Sequence, residues 1–239
     1  MPARAAQPAF SYAFQPIVDT AERSVVSYEA LIRGPQGQAA AEVLGRVPAA
    51  ARAAFDRHSR AQALALAARL GIGCRLNLNL LPHGMLADED AIDATLRAAR
   101  AAGLEPQRLV IEVTESDVIA DAPGFAALVN RHKRDGLALA IDDFGAGQSG
   151  LNLLADFQPD TIKVDMGLIR GIESHGPRQA IMRGLLLTCE LLGIDVVAEG
   201  VETTAEYRWL RSQGVHLFQG YLFARPGFET LPLPSFPAA

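Results

Sequence analysis

Phe10-Ser-Tyr-Ala-Phe-Gln-Pro-Ile-Val18, then Asp19-Thr-Ala-Glu-Arg-Ser24, then Val25-Val-Ser-Tyr-Glu-Ala-Leu-Ile-Arg33 is the stretch that decides the fold. The two outer runs are rich in β-branched and aromatic residues and read as strands. Only Asp19–Ser24 joins them. A parallel connection needs a crossover of about a dozen residues, so this pair runs antiparallel. Further along the pattern changes, and strands take turns with helices. Arg75–Leu81, Leu109–Thr114, Leu137–Phe144, Thr161–Asp165, Asp195–Ala198 and Leu217–Phe223 read as strands. Ala49–Leu70, Asp88–Ala102, Pro123–Arg134, a short piece around Leu151–Asp156, Met182–Leu192 and Thr204–Ser212 read as helices. Gly103, Gly136 and Gly214 stand where helices end. Such alternation makes β/α units around a parallel sheet, and about eight strands close a barrel. The expectation is an α/β fold, a modified TIM-type (β/α)8 barrel with an antiparallel first strand pair.

The chain has 239 residues, 49% hydrophobic and 21% charged. That is enough apolar material for one domain of barrel size, spanning 1–239 with its core at about 10–230 and loose N- and C-terminal ends. The Pro-rich Pro232–Ala239 reads as such an end. A net charge of -5 and the lack of a Lys/Arg stripe exclude a DNA or RNA polymer as partner. A small anion stays possible, since bound metal ions reverse the local field. Cys74 and Cys189 have no Cys or His at metal-ligand spacing and read as reduced, packed thiols. The Leu-rich run Gly184–Gly193 is too short to span a bilayer, and Met1–Pro8 has no signal core. A cytoplasmic protein with no membrane partner is expected.

A carboxylate or amide recurs at or near the strand ends. Glu29, Asn79, Glu112 with Glu115 beyond it, Asp142, Asp143, Asp165 beside Lys163, and Glu199 all stand there. An unpaired buried carboxylate costs on the order of several kcal/mol, so this repetition at the mouth of a barrel points to a shared cation. Oxygen ligands without thiolate or clustered histidine suit Mg²⁺ or Mn²⁺. Glu29, Asn79, Glu112, Asp142, Asp143 and Glu199 exceed what one hydrated Mg²⁺ takes from protein. A pair of ions about 3.5–4 Å apart accommodates them, and the chemistry is metal-assisted phosphoester hydrolysis. Singly, Asp142-Asp143 before Phe144-Gly145-Ala146-Gly147 also describes an ordinary solvated turn. With glycine in that turn both acids can face the mouth. Lys163 has two readings: a protonated lysine that orients water or phosphate among acids, or a buried ion pair with Asp165. The histidines, His58, His83, His132, His175 and His216, share no motif.

Tyr28-Glu29-Ala30-Leu31-Ile32-Arg33 resembles the signature of the EAL domain, the cyclic di-GMP phosphodiesterases. Matching motifs follow in order. They are Phe14-Gln15-Pro16-Ile17, Asn79-Leu80-Leu81-Pro82, Glu112-Val113-Thr114-Glu115 and Asp142-Asp143-Phe144-Gly145. Then come Lys163-Val164-Asp165, Ala198-Glu199-Gly200-Val201-Glu202 and Gln219-Gly220-Tyr221-Leu222. The resemblance implies hydrolysis of cyclic di-GMP to linear pGpG. It implies a first metal held by Glu29, Asn79, Glu112 and Asp142, and a second by Asp142, Asp143 and Glu199. Lys163 would position the attacking water with Gln219 assisting. Arg33 would contact phosphate, Gln15 and Leu31 would line the nucleotide groove, and Asp56 and Asp165 would belong to the substrate site. Glu115 would hold the loop after Asp143. Ca²⁺ would bind yet support little hydrolysis, and the chain would form a homodimer. The loop 145–150 departs from the family pattern at Ala146, Gln148 and Gly150, and Leu81 replaces a common serine. The alternative is a catalytically weak or inactive member that serves as a cyclic di-GMP receptor or protein-interaction module. Such members typically lose metal ligands, and this chain retains them.

Overall fold

The computed structural model describes residues 8–80, 90–115, 136–147, 153–155 and 158–237. Strands β1 (Ser11–Asp19) and β2 (Ser24–Arg33) form an antiparallel hairpin in which Gln15 faces Glu29. The short polar turn dictates this pairing, as its length requires. Strands β3 (Arg75–Asn79), β4 (Leu109–Thr114), β5 (Ala138–Phe144), β6 (Thr161–Val164), β7 (Asp195–Ala198) and β8 (Leu217–Phe218) follow. Each lies parallel to the one before it. Strand β8 then meets β1 through Val18 opposite Phe218 and Asp19 opposite Leu217, antiparallel. The ring closes on itself, and β1 alone runs against both neighbours. The chain is an eight-strand closed barrel of the expected modified kind.

Helices α1 (Ala40–Leu44), α2 (Arg52–Arg69), α3 (Ala91–Ala101), α4 (Met166–Ile169), α5 (Gly176–Leu192) and α6 (Thr204–Ser212) accompany it. Strand alternation divides the molecule into two layers. In β3, Leu76 and Leu78 are buried in the outer core with Leu64 and Ala67 of α2 and Leu96 and Ala99 of α3. Asn77 and Asn79, on the opposite face, look down the barrel axis. The same alternation puts Ile162 and Val164 outside and Lys163 inside. Within the barrel a small apolar group, Ile17, Val197 and Leu217, makes a floor at the N-terminal end of the parallel strands. Above that floor the interior is polar.

Several boundaries differ from the sequence reading. Helix α5 starts at Gly176 rather than Met182, because Pro177 fits a first helical turn and the His175 ring accepts from Arg178 N. Ala49–Ala51 forms a 3₁₀ turn ahead of α2. The expected strand Leu217–Phe223 stops at Phe218. Beyond it the backbone bonds to Val201 on both sides, through Val201 N to Gln219 O and Leu222 N to Val201 O. Gly220 is required there, since a Cβ would collide with the Val201 backbone. Pro232–Pro237 is not loose. Strand β9 (Gly227–Phe228) pairs with β1, the Tyr28 hydroxyl donates to Pro232 O at 2.9 Å, and Ser235 N donates to Phe223 O. Phe236 packs near Phe223 beneath the Arg23 guanidinium. The expected helix Pro123–Arg134 lies outside the described residues, as do Leu81, His83 and His132. Among the described residues, no helix is long and apolar enough to cross a membrane.

Candidate active site

Lys163 is the centre of the barrel mouth. It is 1% exposed, and its Nζ reaches Glu199 Oε1 at 2.7 Å, Glu112 Oε1 at 2.9 Å, Asp142 Oδ1 at 3.0 Å and Glu29 Oε2 at 3.2 Å. Each partner comes from a different strand or the residue just after it, so barrel closure itself assembles the cluster. An ion pair with Asp165, the other reading, is corrected by this geometry. Asp165 sits where the chain leaves β6, and its carboxylate accepts from Gly167 N at 2.8 Å to start α4. It still borders the mouth.

Glu29 is held from two more sides. Asn79 Nδ2 donates to its Oε1 at 3.0 Å and Gln219 Nε2 to its Oε2 at 2.7 Å. Gln219 also approaches Gln15 Oε1 at 3.3 Å, and Gln15 in turn donates to Ala224 O. The close passage of Gly220 against Val201 therefore fixes Gln219 beside the acids.

Asp142 and Asp143 both reach the mouth, and Gly145 takes the positive φ expected of the turn after them, but the turn is not the whole of it. The ladder between β5 and β6 slips between Ile141 and Phe144, and Asp143 itself is left-handed, with φ of 53°. Aspartate is among the few residues that tolerate this conformation, and a bulge re-aims side chains next to functional sites. Glu115, buried, accepts from Gly145 N at 3.2 Å. A Cβ on Gly147 would come within 2.8 Å of Glu115 Oε1, so this loop packs directly on the carboxylate. Gln148–Gly150 lie outside the described residues.

Carboxylate oxygens gather in two overlapping groups, Glu29, Glu112 and Asp142, and Asp142, Asp143 and Glu199. Within each group the oxygens lie within 4.8 Å of one another. Asp142 belongs to both. Burial pushes Glu112 well above the usual carboxylate range, reinforced by Glu29 and Asp142. Burial, with Asp142 and Glu29, raises Glu199 to about 8 against the pull of Lys163. Asp143 is raised by burial and by Asp142. Glu29 moves the other way: burial raises it, but Lys163 and the hydrogen bonds from Gln219 and Asn79 outweigh that. Burial works against the Lys163 charge, yet the surrounding acids hold its pKa well above the ordinary lysine value.

These five carboxylates face one buried ammonium, so the cluster is strongly short of positive charge. Glu112 Oε2 is fully buried with no hydrogen-bond partner. An orphan acceptor of this kind is expensive unless a cation meets it. Oxygen donors, excess negative charge and an orphan oxygen together fit a pair of divalent ions of the Mg²⁺ or Mn²⁺ kind.

Two cavities share Glu29 and Asp142 as walls. One, about 250 Å³, is bounded by Gln15, Lys163, Glu199 and Tyr221. The other, about 340 Å³, is more apolar and bounded by Tyr12, Leu31, Asn79 and Asp56. Asp56 is buried and paired with Arg60, whose Nε donates to Thr95 Oγ1 at 2.8 Å. Arg33 borders neither cavity, and its guanidinium donates to the Ile32 carbonyl at 2.8 Å. One inward residue escaped the sequence reading. Asn77, one pleat below Asn79, donates from Nδ2 to Glu112 Oε1 at 2.8 Å.

The model of the EAL domain family matches residues 3–226. The chain belongs to the EAL domain family. An EAL relative, the blue light- and temperature-regulated antirepressor BluF of Escherichia coli K12, is 37% identical over 227 residues, covering 95% of this chain and 56% of its own length. The cyclic di-GMP phosphodiesterase PA2567 of Pseudomonas aeruginosa is 31% identical over 229 residues, covering 91% of this chain and 38% of its own length. The chain therefore spans about half or less of these curated relatives. Among solved EAL structures, a standalone protein of Vibrio cholerae O395 in its c-di-GMP-bound form superimposes with a TM-score of 0.91. It is 44% identical, with 96% of this chain and 97% of that one covered. Klebsiella pneumoniae BlrP1, in a calcium and cyclic di-GMP complex, gives a TM-score of 0.90 at 45% identity, covering 97% of this chain and 59% of that one.

Proposed function

We propose that this chain is a metal-dependent phosphodiesterase that opens one phosphodiester of cyclic di-GMP and releases linear pGpG. The observation that carries this reading is the pair of acid groups sharing Asp142 around Lys163. EAL relatives named for the same dinucleotide support the substrate. Glu29, Asn79, Glu112 and Asp142 would hold one Mg²⁺ or Mn²⁺, and Asp142, Asp143 and Glu199 the other. When bound, the ions polarise phosphoryl oxygen and make water a competent nucleophile near neutral pH.

Lys163 is caged by acids and stays protonated, so it donates rather than accepts a proton and orients the water. Gln219 has its Nε2 on Glu29 and a buried Oε1 with no hydrogen-bond partner, ready to accept from that water. The two cavities on either side of the acids suit the two halves of an extended dinucleotide. Gln15 and Asp165 face one half, and Leu31 and Asp56 the other. Arg33 would turn from the Ile32 carbonyl to a substrate phosphate. Glu115 holds the loop that follows Asp143.

An inactive receptor role, the alternative, is less well supported because the described acids form both groups without a gap. We further infer a homodimer through α5, where Ile181, Leu187 and Leu191 are exposed on a helix whose other side is buried by Met182, Leu185 and Cys189. Residues 1–239 act as one EAL domain, and the cytoplasm is the compartment proposed for it. Purified protein incubated with cyclic di-GMP and Mg²⁺ or Mn²⁺ should yield linear pGpG. Tight binding of the dinucleotide with no linear product would overturn the enzyme reading.

A further inference from the structure

We propose that Asn77 is a positioning residue for the metal centre, fixing the rotation of the Glu112 carboxylate so that Oε2 is the oxygen offered to the cation. The proposal rests on the metal reading above. Glu112 is completely buried on β4, and both of its donors sit on one oxygen. Asn77 Nδ2 meets Oε1 at 2.8 Å and Lys163 Nζ meets the same atom at 2.9 Å. Oε2 has no hydrogen-bond partner. The terminal torsion of a glutamate is broad, so the plane of a carboxylate left alone swings widely. Two donors on one oxygen hold that plane and leave the other oxygen in one direction.

Lys163 cannot do this unaided. Its ammonium has three protons and four carboxylates within reach, and it follows whichever arrangement those acids adopt. Asn77, among the described residues, donates to Glu112 alone. Strand register places it opposite Val110, two residues before Glu112 on β4, so it approaches from the barrel floor. Its remaining oxygen, Oδ1, has no hydrogen-bond partner, and the side chain borders a cavity of about 240 Å³ at that floor. The floor combines Ile17, Val110 and Val197 with polar neighbours such as Ser27 and Thr161. The amide's hydrogen bond goes to a carboxylate of the proposed metal site. The amide also cannot reverse, since Oδ1 would then face the carboxylate oxygen.

The test compares native protein with Asn77→Leu, which keeps the branched shape at a larger volume, and Asn77→Ala, which leaves room for water. Folding is checked by circular dichroism, and Mn²⁺ is titrated by calorimetry without substrate. Loss of such a supporting bond weakens metal binding by about tenfold or more. We expect that loss in each folded variant. A Kd within about twofold of native in a folded variant, below the range such bonds give, overturns the proposal even if the melting temperature has dropped. Native protein that binds no Mn²⁺ overturns the metal reading itself, and this proposal with it. Should neither variant fold, the native side-chain amide resonances of Asn77 decide. They should shift on Mg²⁺ addition and saturate with the metal, and an Asn77 amide that does not move refutes the role.

Discussion

Replacing Lys163 by Met tests the electrostatic account of the mouth most directly. Methionine preserves much of the side-chain length and removes the charge. Four carboxylates that now contact Nζ within 3.2 Å would surround an apolar tip. Removing one partner of a buried ion pair costs about 3–5 kcal/mol. For a domain of this size each kcal/mol moves the midpoint by about 2–4 °C, so metal-free protein should melt roughly 6–20 °C lower. Protonation of the acids limits the loss, and the sign follows from the raised pKa values. Glu199 lies near 8 in the folded chain against an ordinary 4.5, and Glu112 is raised as well. An unfolded chain releases such protons first, so stability is lost as pH climbs from about 4.5 to about 8. The deficit of the variant should therefore be larger at pH 8 than at pH 6. Mn²⁺ should recover part of it by supplying the missing charge. Thermal melts followed by circular dichroism, in chelator and in Mn²⁺ at both pH values, give the answer. A metal-free variant melting within about 2 °C of native at pH 8 would refute the reasoning.

Glu29→Ala removes a ligand that also anchors Asn79 and Gln219, and turnover of cyclic di-GMP should fall to background; near-normal rates would take Glu29 out of the mechanism. Ca²⁺ should bind but turn over poorly, because its longer and looser coordination places water badly, and equal rates with Ca²⁺ and Mg²⁺ would contradict this. Mn²⁺ must displace protons held by Glu112 and Glu199, so its apparent affinity should rise from pH 6 to pH 8 with measurable proton release. Calorimetry in buffers of different ionisation enthalpy reads that release, and a pH-independent Kd argues against it. Gly220→Ala should lower stability by about 1–3 kcal/mol through overpacking, seen as a lower melting point, since its Cβ meets the Val201 backbone.

The barrel was readable because the length of Asp19–Ser24 leaves the first pair no parallel option. The acids were readable because carboxylates are rare at inward strand positions. Asn77 was hidden in plain view: Leu76-Asn77-Leu78-Asn79 alternates cleanly, and the period that puts Asn79 in the mouth puts Asn77 beneath it. Other features depend on contacts that local sequence does not encode. Asp165 is two residues from Lys163, yet the chain leaves the strand there and the carboxylate turns to the α4 backbone. Gly145 takes the positive φ expected of the turn, but the left-handed conformation at Asp143 was not legible, because glycine is the usual occupant of that region. Proline content marks Pro232–Pro237 as irregular but says nothing of Tyr28 or Phe223, which hold it.

The reversed direction of β1 carries a consequence for how the chain reaches its native state. Its pairing with β2 needs only a short loop and can form early and locally. Its other edge waits for Leu217–Phe218 and Gly227–Phe228, about two hundred residues later. Contacts that distant are the slow ones in folding. Until the last strands arrive, that edge of β1 offers unpaired backbone groups to any passing strand. Chains cut or stalled before Leu217 should therefore be those that aggregate, even though every metal-binding acid has already been made.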